Sequence, residues 1–142
     1  MSSRDVALLV ALAFVLAPLP AAQARVALVA SGTPELVLLD VTSDRVVARI
    51  ALPGPSTAVA VDGDGARGFV AAGATVVGLD VNERTEIARR ALGSATIRGM
   101  AVSPDGHRLY AVQGRRLRVL RTSTLALKRR GTSAARRRSD GR

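Results

Sequence analysis

The chain has 142 residues, 48% hydrophobic and only 2% aromatic, which is enough apolar material for the core of one ordinary domain. It contains no cysteine, which excludes disulfides, thiolate metal sites and a cysteine nucleophile. The net charge is +10, but residues 1–114 carry ten arginines and ten acids, whereas residues 115–142 carry eleven basic residues and one acid. The excess therefore lies at the carboxyl-terminal end, and the body of the chain is neutral.

The first segment predicts a secretory signal peptide. The run VALLVALAFVLAPLPAA at residues 6–22 has no polar residue, and two prolines interrupt any helix near its end. The small-x-small site Ala22-Gln23-Ala24 follows, so we expect residues 1–24 to be cleaved and the mature chain to begin near Arg25, in the periplasm or the medium. The alternative is a membrane anchor. A spanning helix needs about 20 apolar residues, whereas this run is shorter and is interrupted by proline. We therefore expect no stable membrane span after cleavage.

The body of the chain predicts short strands separated by turns. Strands rich in Val, Leu and Ile are expected at Val26–Ser31, Glu35–Val41, Arg45–Leu52, Thr57–Val61 and Arg108–Val112. Gly, Pro, Asp, Ser and Thr occupy the breaks between them. Apart from the amino-terminal run, no segment shows a sustained helical period.

The strands belong to an internal repeat of 40 or 41 residues. AVAVDGDGARGFVAAG (Ala58–Gly73) is similar to GMAVSPDGHRLYAVQG (Gly99–Gly114), and LLDVTSDRVVARIAL (Leu38–Leu52) is similar to GLDVNERTEIARRAL (Gly78–Leu92). A third pair, less close, relates residues 76–90 to Leu117–Arg130. The unit occurs three times with three, four and four predicted strands, because the first copy lacks its opening strand. Four antiparallel strands in a period of about 40–45 residues are typical of a propeller blade.

These residues resemble the YVTN repeats of bacterial extracytoplasmic β-propellers, a WD40-like group that includes cytochrome cd1-like and lactonase-like proteins. AVSPDGHRLYAV (Ala101–Val112) and LVLLDVTSDRVVARI (Leu36–Ile50) match the repeat well, whereas the YVTN tetrad appears only as LVAS, FVAA and YAVQ. The resemblance covers Val26–Arg130 and implies a propeller domain at residues 25–130. Some propellers of this kind are lactone hydrolases or carry redox cofactors.

A propeller typically closes with 4–8 blades, so about three blades make an incomplete ring. Three interpretations follow: the chain oligomerises to complete a ring, it is a fragment of a longer propeller, or it is a small open sheet of marginal stability. Open blade edges invite pairing with other chains. The expected partner is therefore a protein or a second copy.

The segment at residues 131–142 is predicted to be a basic disordered tail, because it has no apolar periodicity. A basic tail can attract nucleic acid or an anionic membrane. However, no aromatic residues are available there to stack on bases, so we expect no nucleic-acid partner.

The sequence offers little for catalysis. His107 is the only histidine and follows a Pro-Asp-Gly turn, so neither a transition-metal site, nor haem ligation, nor a nucleophile–histidine pair is expected. Asp62 and Asp64 at DGDG are conceivable Ca²⁺ ligands, but two carboxylates are few for this ion. We interpret these acids, together with Asp40, Asp80 and Asp105, as turn residues that bond the backbone.

The sequence therefore predicts an all-β, propeller-like protein with no catalytic, cofactor-binding or metal-ligating residue. The leading hypothesis is an extracytoplasmic binding or interaction scaffold without catalysis of its own. The alternatives are a fragment of a propeller enzyme, either a lactonase-like hydrolase or a cofactor-dependent oxidoreductase, and a truncated remnant without function.

Overall fold

The computed structural model describes residues 25–128, which form ten β-strands and, within that range, no helix. The strands make three antiparallel sheets, named here the first, middle and third sheets in chain order. Their bounds are β1 Val26–Ala30, β2 Glu35–Asp40, β3 Arg45–Ala51, β4 Ser56–Val61, β5 Arg67–Ala72, β6 Thr75–Asp80, β7 Thr85–Ala91, β8 Ile97–Val102, β9 Arg108–Gln113 and β10 Arg116–Arg121. The first sheet contains β1–β3, the middle sheet β4–β7 and the third sheet β8–β10, each with neighbouring strands in chain order.

The sequence repeat and the sheets coincide, which confirms the all-β, propeller-like architecture. Each of the five strands predicted individually is present, with ends displaced by at most one residue. The first sheet has no counterpart of the opening strand β4, as the repeat predicted. The predicted signal peptide (residues 1–24) and basic tail (residues 131–142) lie outside the described residues.

The third sheet differs from its prediction of four strands. Within residues 25–128 it has three strands and one isolated bridge between Leu120 and Leu127. Leu125 adopts a left-handed conformation with φ of 54°, and the chain reverses there, so that the Lys128 N–H donates to the Val119 carbonyl. Within the described residues, the place of the predicted fourth strand therefore holds this one bridge and no strand.

Strands β5 and β6 of the middle sheet are buried on both faces and separate two hydrophobic clusters. Successive side chains of a strand point to opposite faces, so β5 directs Val70 towards the first sheet and Phe69 towards the third. Between the first and middle sheets lie Leu36, Leu38, Leu52, Val70, Ala72, Val77 and Leu79. Between the middle and third sheets lie Phe69, Ala71, Val76, Leu92, Ile97, Leu109, Ala111, Leu120 and Leu125.

Side-chain hydrogen bonds from β4 reinforce the packing between sheets. The buried Ser56 hydroxyl accepts the backbone N–H groups of Ser31 at 3.1 Å and Gly32 at 3.2 Å, which joins the first sheet to the middle one. The adjacent Thr57 hydroxyl donates to the Ile97 carbonyl at 2.7 Å, which joins the middle sheet to β8. One strand therefore bonds to both neighbouring sheets.

Candidate binding surface

The two turns that precede β5 and β9 are built alike. The Gly65 N–H donates to the Asp62 carbonyl at 3.0 Å, and the Gly106 N–H donates to the Ser103 carbonyl at 2.9 Å. Gly65 and Gly106 have φ values of 73° and 72°, in the left-handed region that glycine tolerates without steric cost. This geometry is the reason that Asp-Gly recurs at the same place in the repeat.

The Asp105 carboxylate is engaged within its own turn. It accepts hydrogen bonds from the Ser103 hydroxyl and from the His107 backbone N–H, the latter at 3.0 Å. The Ser103 hydroxyl, followed by the His107 N–H, lowers the pKa of Asp105, because both favour the ionised form. The Oδ1 atom of Asp105 therefore bonds groups of its own turn.

The acids of the DGDG turn bond the backbone in the same way. Asp62 accepts the Arg67 N–H at 3.0 Å and Asp64 accepts the Ala66 N–H at 3.0 Å. Partial burial raises the pKa of Asp62, whereas the Ala66 N–H lowers the pKa of Asp64. Residues 25–128 contain no group of three or more His, Cys, Asp or Glu side chains placed to hold a metal ion.

The acids at the ends of β2 and β6 also cap turns. The Asp40 carboxylate accepts the N–H groups of Thr42 at 2.8 Å and Ser43 at 3.2 Å, and these two bonds lower the pKa of Asp40. The Asp80 carboxylate accepts the Glu83 N–H at 2.9 Å. The recorded contacts of these turn acids are with groups of their own turns, and the acid that contacts His107, Asp105, bonds its backbone N–H.

His107 is exposed and lines a shallow cleft of about 260 Å³. The cleft is cationic and hydroxyl-rich, with Arg108, Leu120, Arg121, Thr122, Ser123 and Lys128 around it. The Thr122 hydroxyl is committed to the Gly106 carbonyl at 2.6 Å, so it donates to the fold and not to a ligand. The neighbouring Asp105 carboxylate bonds the His107 backbone N–H, and within residues 25–128 no carboxylate accepts a hydrogen bond from the His107 imidazole, which is the contact that orients a nucleophile-activating histidine.

The third sheet carries basic residues that belong to the charge excess of residues 115–142. Arg115 precedes β10, and Arg116 and Arg118 lie on that strand, beside clefts of about 360 and 620 Å³. The Arg118 guanidinium donates to the Gln113 side chain at 3.4 Å. Part of the charge excess therefore belongs to the folded sheet. A charge count by range could not detect this, because it ignores where the last strand ends.

The outer faces of the two end sheets carry apolar side chains that no other sheet of residues 25–128 covers. On the first sheet, Ala27, Val29, Val37 and Leu39 point away from the middle sheet, and Val29 is 40% exposed. On the third sheet, Tyr110, Val112, Leu117 and Val119 point outwards, with Val112 42% and Leu117 53% exposed. Exposed apolar faces of this kind mark interaction sites in soluble proteins.

The protein is thus a β-propeller-like protein of three sheets, an incomplete propeller. No protein-family model matches the chain, and no curated protein matches it. Among residues 25–128, no helix has both the length and the hydropathy needed to cross a membrane.

Solved structures share this fold. The β-propeller domain of Cps50 (Swd1) from Myceliophteria thermophila is similar with a TM-score of 0.65 and 13% identity, over 73% of this chain and 34% of that one. Hydrazine synthase of Kuenenia stuttgartiensis is similar with a TM-score of 0.63 and 24% identity, over 68% of this chain and 29% of that one. The chain therefore spans about a third or less of the length of these neighbours.

Proposed function

We propose that the chain is an extracytoplasmic β-propeller protein of the YVTN-repeat type that acts as an interaction scaffold without catalysis of its own. The observation that carries this proposal is the pair of outer sheet faces. They present apolar side chains at the positions that the middle sheet buries, so they are built for packing against protein. The AVSPDG motif and the strand period support the repeat type.

The proposed organisation is a signal peptide at residues 1–24, propeller repeats at residues 25–130 and a basic tail at residues 131–142. Export is supported by the apolar run and the Ala22-Gln23-Ala24 site. N-terminal sequencing of the protein recovered from a bacterial host tests it. We expect the sequence to start at Arg25 in the periplasm or medium, whereas a chain starting at Met1 in the cytoplasm would contradict the location.

The scaffold proposal is tested against hydrolysis with the purified protein and its His107→Ala variant on a panel of lactones. We expect both proteins to give the rate of buffer alone, because the Asp105 carboxylate beside His107 bonds the Ser103 hydroxyl and the His107 backbone N–H. Turnover that is present in the parent protein and lost in His107→Ala would overturn the scaffold proposal. Circular dichroism of the variant shows whether it keeps its strands.

A second candidate is a piece of a longer propeller enzyme. It is favoured by one observation, the coverage of only 29% of a neighbour named as an enzyme, hydrazine synthase. Such sites draw residues from several blades, so the activity would belong to the longer protein. Additional SPDG-type repeats encoded next to this sequence in the genome would favour this candidate.

A further inference from the structure

The outer faces of the end sheets are equivalent, position by position, to faces that are buried inside the molecule. Strands β1, β5 and β9 correspond at intervals of 41 residues, so Leu28, Phe69 and Tyr110 occupy one repeat position. Phe69 is fully buried against the third sheet, and Leu28 packs against the middle sheet. Tyr110 has the same orientation on the third sheet, but no sheet follows it in the described chain.

The equivalence extends to β10. Leu117 corresponds to Val76 of β6 and to Leu36 of β2, which start 41 and 81 residues earlier. Val76 and Leu36 are fully buried, each against the next sheet along the chain. Leu117 is 53% exposed. We call the face of a sheet that packs against the next sheet along the chain its forward face. The forward face of the third sheet is its outer face, and no sheet packs against it within residues 25–128.

The outer face of the first sheet is its backward face, which is the face that packs against the preceding sheet in the middle and third sheets. Val29, Val37 and Leu39 correspond to Val70, Val77 and Leu79, which are all fully buried against the sheet that precedes them. The two exposed faces are thus the two halves of the contact that the chain already makes twice internally.

We infer that the forward face of the third sheet binds the backward face of the first sheet of a second copy, so that two chains close a ring of six sheets. Six sheets fall within the 4–8 blades of closed propellers, whereas three copies would give nine. Head-to-tail contacts form rings when the rotation per unit closes. This inference rests on the proposed scaffold function and names its partner as a second copy of this chain.

The internal contact predicts which residues meet across the new one. A side chain built at Gly68 of the middle sheet would meet the end of the Leu28 side chain of the first sheet, so these positions touch. The repeat equivalent of Leu28 on the forward face is Tyr110, and the equivalent of Gly68 on the backward face is Ala27. Tyr110 of one copy should therefore lie over Ala27 of the other.

Disulfide trapping tests this pairing, and it is clean because the chain has no cysteine. In the Ala27→Cys/Tyr110→Cys double variant, the Cβ atoms should come close to the 3.5–4.5 Å that a disulfide needs. We expect mild oxidation to convert most of the protein into a covalent dimer on a non-reducing gel. The control Ala27→Cys/Arg90→Cys, with its second cysteine on the exposed strand β7, should stay monomeric on the gel.

Light scattering after size exclusion completes the test. The parent protein should elute as a dimer, Leu117→Glu should elute as a monomer, and the matched control Ile87→Glu, at a residue 49% exposed on β7, should remain a dimer. A monomeric parent protein or a polydisperse aggregate would overturn the inference. A covalent dimer from Tyr110→Cys alone would also overturn it, because the third sheets would then face each other.

The failure of this inference is distinguishable from failure of the proposed function. A folded parent protein that is monomeric and shows no His107-dependent turnover would remove the second copy as partner and leave the scaffold with a different protein partner. Turnover that is present in the parent protein and lost in His107→Ala would instead contradict the proposed scaffold function, whatever oligomeric state light scattering gives.

Discussion

At the scale of single residues, the turn aspartates bond groups of their own turns, which is the role that the sequence indicated for them. The carboxylates of Asp40, Asp64 and Asp105 accept N–H or O–H donors that lower the pKa of each group. Such donors stabilise the charged form in the folded state and are absent from the unfolded chain. The turns should therefore weaken in acid.

The Asp105→Asn substitution tests how the stability that this carboxylate contributes depends on pH. A carboxyl whose pKa is lower in the folded chain than its ordinary value of 3.8 stabilises the fold above that value and stops doing so as the pH falls through the folded pKa. We expect the parent protein to have the higher Tm at pH 7, and the difference to shrink between about pH 5 and pH 2. Thermal unfolding followed by circular dichroism across this range measures it.

The control for this substitution is Asp44→Asn. The Asp44 carboxylate accepts no hydrogen bond within residues 25–128, and asparagine tolerates its φ of 52°. Its Tm difference from the parent should not follow the same pH course. A Tm difference for Asp105→Asn that is constant over the whole range would contradict the assignment of Asp105 to its turn.

Gly68 is the residue at which packing between sheets leaves least room. A Cβ there would overlap the end of the Leu28 side chain and crowd Val81 at 3.3 Å. We expect Gly68→Val to lower the free energy of unfolding by about 1–3 kcal/mol through overpacking. Adding Leu28→Ala should recover part of the loss by making space. Urea unfolding of the two variants measures this, and a double variant less stable than the sum of both single changes would contradict it.

At the scale of elements, strand positions followed from sequence because turn residues and apolar runs repeat together. The SPDG and DGDG turns mark where the left-handed glycines lie, and the ends of β4, before DGDG, and of β9, after SPDG, were predicted to within one residue. The hydrogen bonds between sheets could not be predicted from the sequence, because nothing in the sequence distinguishes Ser56 and Thr57 from serines and threonines in loops. Their role depends on which backbone groups the packed sheets bring near.

Ser56→Ala tests the joint between the first and middle sheets. The change removes the acceptor of two backbone N–H groups, those of Ser31 and Gly32, at a site only 3% exposed. We expect a loss of about 1–3 kcal/mol in the free energy of unfolding, the cost of leaving buried donors unsatisfied. Ser94→Ala, at an exposed serine with no such contacts, is the control and should change stability by less than about 0.5 kcal/mol. Equal effects of both changes would argue against the joint.

At the scale of the whole molecule, the sequence predicted that unpartnered sheet faces exist but not which residues form them. Counting blades predicted an open ring with unpartnered ends, because three repeats are fewer than the 4–8 of a closed propeller. The residues that line those ends could be identified only from the strand register and the sheet order. In the sequence, Val29 and Leu117 are ordinary strand residues, and the sheet order is what places them on the outer faces.

A ring of two copies makes stability depend on protein concentration. If folding and association are coupled, each tenfold increase in concentration adds about 1.4 kcal/mol to the stability of the dimer, so the Tm should rise over a hundredfold dilution series. Leu117→Glu places a charge on the forward face and should give a Tm independent of concentration, whereas Ile87→Glu should retain the dependence. Since Leu117 is already half exposed within one chain, its substitution removes little packing inside the monomer. A parent Tm that stays constant across the series would mean that the end faces are not joined to each other. A rise that persists in Leu117→Glu would mean that the chains associate through another surface.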